Sequence, residues 1–248
     1  MASIELDQVT IEFPIYNARG RSLTVELFRR TVGGLIQADN SSYVSVVALR
    51  DINLFLTDGD RLGLIGHNGA GKTTLLRVLA GIYEPLVGRA RINGTVASLT
   101  DITMGMDFER NGYENIMMRG VFLGLDPKEM RRMIPAIEEF TELGEFLTLP
   151  LRTYSSGMSL RLAFAISTCV QPEILLLDEV VGAGDAHFMA KAEQRMVEMT
   201  ERAKILVIAS HAVSTIMKRC NKALLLHEGQ VLAFGPAEEV LDRYKAMG

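Results

Sequence analysis

Cysteine is scarce in this chain: Cys169 and Cys220 are its two cysteines in 248 residues. Two isolated thiols make neither a disulfide framework nor a metal-ligand spacing, and both are expected to sit reduced in a cytosolic interior. A basic surplus is also missing. The formal net charge is -4, which counts against a protein whose main business is coating nucleic acid. Long apolar runs are absent too. The longest candidate, Leu160 to Val170, contains Arg161 and falls short of the ~20 residues that span a bilayer. Met1-Ala2-Ser3-Ile4-Glu5 lacks the basic-then-apolar pattern of a signal peptide, so any membrane business is expected to go through a partner. What is present is ordinary for a chain that buries a core: 48% hydrophobic and 23% charged residues, in a length that allows one large domain or two small ones.

The chain opens as strands. Ile4, Leu6, Val9, Ile11 and Phe13 alternate with polar residues, as do Ile52, Leu54 and Leu56 further on. Asp58-Gly59 reads as a hairpin turn, and Arg61-Leu62-Gly63-Leu64-Ile65 runs straight into glycines. Between the first two strand zones lies an arginine-bearing insert, about 17–43, read as a partly helical loop. From about Asn111 to Val170 the pattern turns helical. Asp126-Pro127-Lys128-Glu129 predicts a helix start, Met130, Ile134, Ile137 and Phe140 keep the helical phase, and Gly144 marks the stop. After Pro172 strands return at Ile174 to Leu177, Ile205 to Ala209 and Ala223 to Leu226, with Val231 to Phe234 pairing back on the last. Apolar strands alternating with helices indicate an α/β fold with a largely parallel sheet. The expected division is a single domain over 1–248, in which 1–100 and 172–248 form the core and 101–171 an inserted helical subdomain.

Gly66-His67-Asn68-Gly69-Ala70-Gly71-Lys72-Thr73 fits the phosphate-binding P-loop pattern without a mismatch, between a buried strand and a helix. Glycines let successive backbone N–H groups turn toward phosphate oxygens, and the helix N-terminus adds positive charge at the same place. Lys72 is expected to reach the β- and γ-phosphates and Thr73 to offer its hydroxyl to Mg²⁺, with Thr74 beside them. Ile174-Leu175-Leu176-Leu177-Asp178-Glu179 is a buried strand ending in two carboxylates. Adjacent strand side chains point opposite ways, so Asp178 is placed to hold Mg²⁺ while Glu179 acts as general base on the attacking water.

Tyr154-Ser155-Ser156-Gly157-Met158 opens an apolar helix about twenty residues before Asp178 and resembles the LSGGQ signature of ABC transporter ATPases. The departures from that wording, with Gly112-Tyr113-Glu114-Asn115-Ile116 and Asp178-Glu179-Val180-Val181-Gly182-Ala183-Gly184-Asp185, resemble the branch that exports polysaccharides and polyol phosphates: O-antigen, capsule, teichoic acid and cell-wall galactan exporters. The resemblance implies a P-loop NTPase fold: a RecA-like core with a mostly parallel sheet, an antiparallel β subdomain and an inserted α-helical subdomain. It implies an ATPase using ATP and Mg²⁺, with catalytic Glu179, Lys72 and His211, the last as the γ-phosphate switch. Gly184 and Asp185 fall in the D-loop. Asp101 stands where the family has a Q-loop glutamine, a possible metal contact that cannot donate as glutamine does. Phe13 or Tyr16 is the aromatic for adenine, or else a core residue. His187 and His227 read as surface residues.

By the same resemblance the protein is a peripheral subunit on the cytoplasmic face of the plasma membrane. It forms a head-to-tail homodimer, in which Ser155, Ser156, Gly157 and Met158 complete the partner's ATP site, beneath two copies of a separate transmembrane permease. The permease carries a lipid-linked glycan, and nucleic acid is not a partner. Some members of that branch carry a C-terminal carbohydrate-binding domain. The chain ends soon after Leu241-Asp242-Arg243-Tyr244, so substrate choice is expected to rest with the permease. The competing readings are a soluble ABC ATPase acting on nucleic acid or ribosomes, and an importer ATPase.

Overall fold

The computed structural model describes residues 1–15, 35–38, 44–100, 102–178 and 186–247. Tyr16, Asp101, Glu179, Gly184 and Asp185, and all of the 17–43 insert except 35–38, lie outside these. Along the chain the elements are β1 (Ser3–Ile15), β2 (Leu35–Ala38), β3 (Val44–Thr57), β4 (Arg61–Ile65), α1 (Lys72–Leu79), β5 (Val87–Asn93) and β6 (Val96–Ser98). There follow α2 (Gly112–Phe122), α3 (Pro127–Thr141), α4 (Ser156–Ser167), β7 (Ile174–Asp178), α5 (Ala186–Arg202) and β8 (Ile205–Ala209). The last are α6 (Val213–Arg219), β9 (Lys222–His227), β10 (Gln230–Pro236) and α7 (Ala237–Lys245). They divide into two units, 1–94 with 176–179 and 204–248, and 95–175 with 180–203.

The first unit holds two sheets. One is antiparallel, in the order β2-β3-β1-β5. Period-two alternation along β1 buries Ile4 and Leu6. A bulge between Leu6 and Val9, with Gln8 at φ +50°, shifts the phase by one residue, and alternation resumes with Val9 and Ile11 buried. Ile4 and Leu6 stand opposite Leu56 and Leu54 of β3. The other sheet runs β10-β9-β4-β8-β7, with β4 parallel to both β8 and β9. Leu62, Leu64 and Ile65 are buried because that sheet is covered on both faces. On one face Ile216 of α6 sits directly over Gly63, where a Cβ would come within 2.4 Å of its Cγ2. Ile65, Leu225, Val240 and Leu241 continue that layer.

Asp58-Gly59 is a turn, but not the hairpin turn expected from the sequence. It leads from β3, which pairs with β1 and β2, into β4, which pairs with β8 and β9. The Asp-Gly signal reports the left-handed backbone of Gly59, φ +93°, and says nothing of which strands pair. The hairpin expected near the C-terminus is present as β9–β10. Its turn residues Glu228 and Gly229 both have positive φ, +47° and +74°, the backbone of a type I′ turn.

The second unit is mainly helical. At the start of α2, Asn111 and Glu114 form a reciprocal capping box, the Asn111 side chain accepting from Glu114 N at 2.9 Å. The neighbouring Asn115 is fully buried, and its amide donates to the carbonyls of Asp107, Arg110 and Asn111 while its oxygen accepts from Asp107 N. Asp126 caps α3 through Lys128 N at 2.7 Å, with Pro127 in the first turn as expected. The helix stops earlier than Gly144. Glu142 takes the left-handed C-cap at φ +55°, and its carboxylate accepts from Lys191 Nζ at 2.7 Å. Phe140, Phe164 and Phe188 join α3, α4 and α5, with ring centroids 5.6–5.9 Å apart. Arg119, buried in α2, donates to Met104 O and, at 2.7 Å, to Ser167 Oγ at the end of α4.

Candidate functional site

The glycine-rich loop after β4 folds as the residues dictate. Gly66 (φ +148°), Gly69 (φ +79°) and Gly71 (φ +107°) all take backbone that L side chains rarely adopt. At Gly66 there is no room either, since a Cβ would lie 2.3 Å from Leu226 O. Gly71 is the N-cap of α1 and offers no side chain to its N–H groups, so the helix N-terminus keeps donors and positive dipole for an anion. Lys72 is buried, and its ammonium donates to Gly66 O at 2.7 Å and His67 O at 3.1 Å, drawn back across the loop. Thr73 Oγ1 donates to Asp178 Oδ2 at 3.0 Å. This pair of oxygens fits a hard divalent cation that keeps most of its waters.

These groups line one cavity of about 340 Å³ with Phe13, Val46, Val47, Ala48, His211 and Gly229. The cavity brings together most of the sequence-predicted residues of the first unit: Phe13, Asn68, Gly69, Ala70, Gly71, Lys72, Thr73, Thr74, Asp178 and His211. Gly66 and His67 lie just outside its lining, at the base of the loop. His67 Nδ1 must donate to Asn68 O at 2.8 Å, since a carbonyl only accepts, and its Nε2 meets His227 Nδ1 at 2.9 Å. His227 is therefore partnered rather than a bare surface residue.

The signature residues lie in the second unit and are not among the lining residues. Ser155 caps α4, its Oγ accepting from Met158 N at 3.2 Å, and Ser155 and Ser156 are exposed. A Cβ at Gly157 would meet nothing closer than Ser155 Oγ at 3.8 Å, so this helix N-terminus is open. Tyr154 anchors it from behind, donating its hydroxyl to Phe146 O at 2.7 Å. Burial, with Tyr113 nearby, pushes the Tyr154 hydroxyl up to about 12. Gly112 is required by the same contact, because a Cβ there would be 2.8 Å from Tyr154 Oη.

Sequence reading missed one wall of the cavity. Gly229 N donates to Ala70 O at 3.0 Å and Arg50 N donates to Gly229 O at 2.8 Å, so the β9–β10 turn bridges the phosphate loop and β3. Glu228-Gly229 carried a turn signal. Val46 to Ala48 carried none, because only the tertiary pairing of β3 brings them there.

The family model described as ABC transporter matches residues 49–182. The O-antigen export system ATP-binding protein RfbE of Yersinia enterocolitica is 48% identical over 231 residues, 93% of this chain and 97% of that protein. The teichoic acids export ATP-binding protein TagH of Shouchella clausii is 35% identical over 240 residues, 97% of this chain but 64% of its own length. The chain thus spans nearly all of the first and just under two thirds of the second. Among solved structures, a dimeric post-hydrolysis ATP-binding cassette with ADP and Pi superposes with a TM-score of 0.65 at 18% identity, covering 94% of this chain and 98% of that one.

Proposed function

The chain belongs to the ABC transporter family, and from that premise we propose that it is the ATP-hydrolysing subunit powering export of a lipid-linked polysaccharide across the cytoplasmic membrane. The observation that carries this reading is the gathering of Lys72, Thr73, Asp178 and His211 around one cavity, in a chain nearly half identical to an O-antigen export system ATP-binding protein along almost its full length.

In this reading, the loop N–H groups and Lys72 hold the triphosphate, and its ammonium exchanges the Gly66 and His67 carbonyls for phosphate oxygens. Thr73 and Asp178 would hold Mg²⁺, which supplies charge neutralisation on the β- and γ-phosphates when bound. Glu179, next along the chain from Asp178, takes the proton of the attacking water. His211 contacts the γ-phosphate and reports its loss, and Asp101, by its place in the sequence, would contact the metal or its water. Phe13 stacks on the base. Tyr16 lies beyond the described residues and remains the alternative platform.

A head-to-tail homodimer gives the open N-terminus of α4 a purpose: Ser155, Ser156, Gly157 and Met158 bind the phosphates held by the partner, and Gly184 and Asp185 belong by sequence to the D-loop. In this reading the first unit serves as the nucleotide-binding core and the second, mainly helical unit as the arm. ATP closes the dimer and hydrolysis reopens it. No helix among the described residues is long and apolar enough to cross a membrane. A separate permease supplies the membrane passage in this reading, in two copies to match the two-fold symmetry of the ATPase pair. Val121 and Phe122 at the end of α2 are largely exposed, apolar side chains suited to meet a cytoplasmic segment of that permease.

The test is affinity purification of the tagged chain from detergent-solubilised membranes of its native cells. Recovery with an integral membrane protein in equal amount is expected. Recovery instead with ribosomes or nucleic acid would overturn the export reading in favour of a soluble ABC ATPase.

A further inference from the structure

Phe13 is one member of a braced aromatic pair. Its ring meets that of Tyr83 edge to face, with centroids 5.2 Å apart at 71°. Tyr83 follows α1 closely and is tied to that helix twice. Arg77 Nη1 donates to Tyr83 Oη at 3.2 Å, and Tyr83 N donates to Arg77 O at 3.3 Å. The Arg77 guanidinium carbon also stands 5.8 Å from the Tyr83 ring centroid, within cation–π range. α1 begins at Lys72, so one short helix carries the phosphate-binding residues at its start and the anchor of the aromatic pair at its end.

Phe13 is 37% exposed and lines the cavity with Val46, Val47 and Ala48. Those three aliphatic residues bring no polar side chain. The polar side chains of the lining, Asn68, Lys72, Thr73, Thr74, Asp178 and His211, all belong to the loop, the start of α1 and the strand ends beside them. A base at the Phe13 end is therefore recognised among the described residues by stacking on a ring whose tilt must be fixed by something else. The groups that fix it are Tyr83 and, through it, Arg77.

We infer that Tyr83, held by Arg77, is a positioning residue that orients Phe13 as the platform for the nucleobase and ties base recognition to the phosphate-binding helix. This rests on the reading of Phe13 as the base-stacking residue.

Steady-state ATPase kinetics of the full-length chain test it, with inorganic tripolyphosphate as a competitor that has no base. Tyr83→Leu is expected to raise KM for ATP about three- to tenfold, the scale of one aromatic pair, with kcat and tripolyphosphate inhibition unchanged. Tyr83→Phe keeps the ring against Phe13 and is expected to restore most of the loss. In a Phe13→Ala background, Tyr83→Leu is expected to add nothing, because the two residues act as one unit. If Phe13→Ala raises KM while Tyr83→Leu does not, the brace is wrong and the base reading stands. If Phe13→Ala leaves KM unchanged, the base reading fails and the brace with it. Parallel weakening of ATP and tripolyphosphate in Tyr83→Leu would overturn the proposal, since that marks a general loosening of α1. Additive losses in the double variant would overturn it as well.

Discussion

Gly229→Ala is the substitution that most directly probes how the phosphate loop is held. Gly229 has φ +74°, a conformation that costs an L residue about 1–2 kcal/mol. Its missing side chain leaves room for backbone: a Cβ would stand 2.6 Å from Ala48 O, 3.0 Å from Ala48 C and 3.3 Å from Leu49 Cα. None of these is the end of a flexible side chain, so overpacking adds about 1–3 kcal/mol. Together these give about 2–5 kcal/mol, and at about 2–4 °C per kcal/mol for a domain of this size the melting temperature is expected to fall by roughly 4–20 °C. Any relaxation that spares stability must pull the turn off Ala70 O and Arg50 N, and then KM for ATP rises instead. The assay is thermal unfolding with and without Mg-ATP, alongside ATPase kinetics. Gly59→Ala is the control. It also has positive φ, but no atom lies within 4 Å of its Cβ position, so only the conformational part, about 1–2 kcal/mol, is expected. Equal shifts in the two variants, or an unchanged Tm and KM in Gly229→Ala, would refute the bridging role of the turn.

Glu179→Gln is expected to bind ATP, lose nearly all turnover and accumulate as an ATP-bound dimer visible by size-exclusion chromatography; normal turnover would remove Glu179 as the base. Asn115→Ala is expected to cost about 2–4 kcal/mol of stability, because it empties a fully buried site and strips partners from several partly buried backbone groups at once, and urea unfolding measures it. Burial pushes the thiols of Cys169 and Cys220 up to about 11, so the folded protein is expected to resist maleimide at pH 8, where only about one thiol in a thousand is ionised. The same shifts set a pH dependence. An unfolded thiol ionises near pH ~8.5 while the folded ones stay protonated, so the native state binds more protons and stability falls as pH rises from there toward 11; unfolding free energies that rise across that window would contradict it.

Much of the site was legible because phosphate binding is local. Residues 66–73 form one strand-to-helix turn whose backbone and charge follow from glycines, Lys72 and Thr73 in fixed order, and the structure builds that turn as the sequence implies. Asp178 was legible for a different reason: an all-apolar strand ending in a carboxylate places it at the edge of a buried parallel sheet. The wall made by Val46 to Ala48 was not legible, because strand periodicity gives the face of β3 but not the loop it approaches. Nor was the His67–His227 contact, between residues 160 apart in sequence. Asp58-Gly59 misled because turn chemistry specifies φ and not strand pairing. Gly144 misled because Glu142, ion-paired to Lys191, takes the left-handed cap that a glycine normally fills. Gly112 to Asn115 carried family resemblance in the sequence; its physical content is a capping box and a buried amide supporting the loop before α2.

The central claim, that this ATPase drives export of a lipid-linked polysaccharide, is tested most directly by glycolipid profiling of native cells in which Lys72→Ala replaces the normal gene. Accumulation of a lipid-linked glycan on the cytoplasmic side, with its loss from the cell surface, is the expected result and identifies the cargo. An unchanged profile, with the variant shown to be inactive as an ATPase and no second copy of the gene, would contradict the claim.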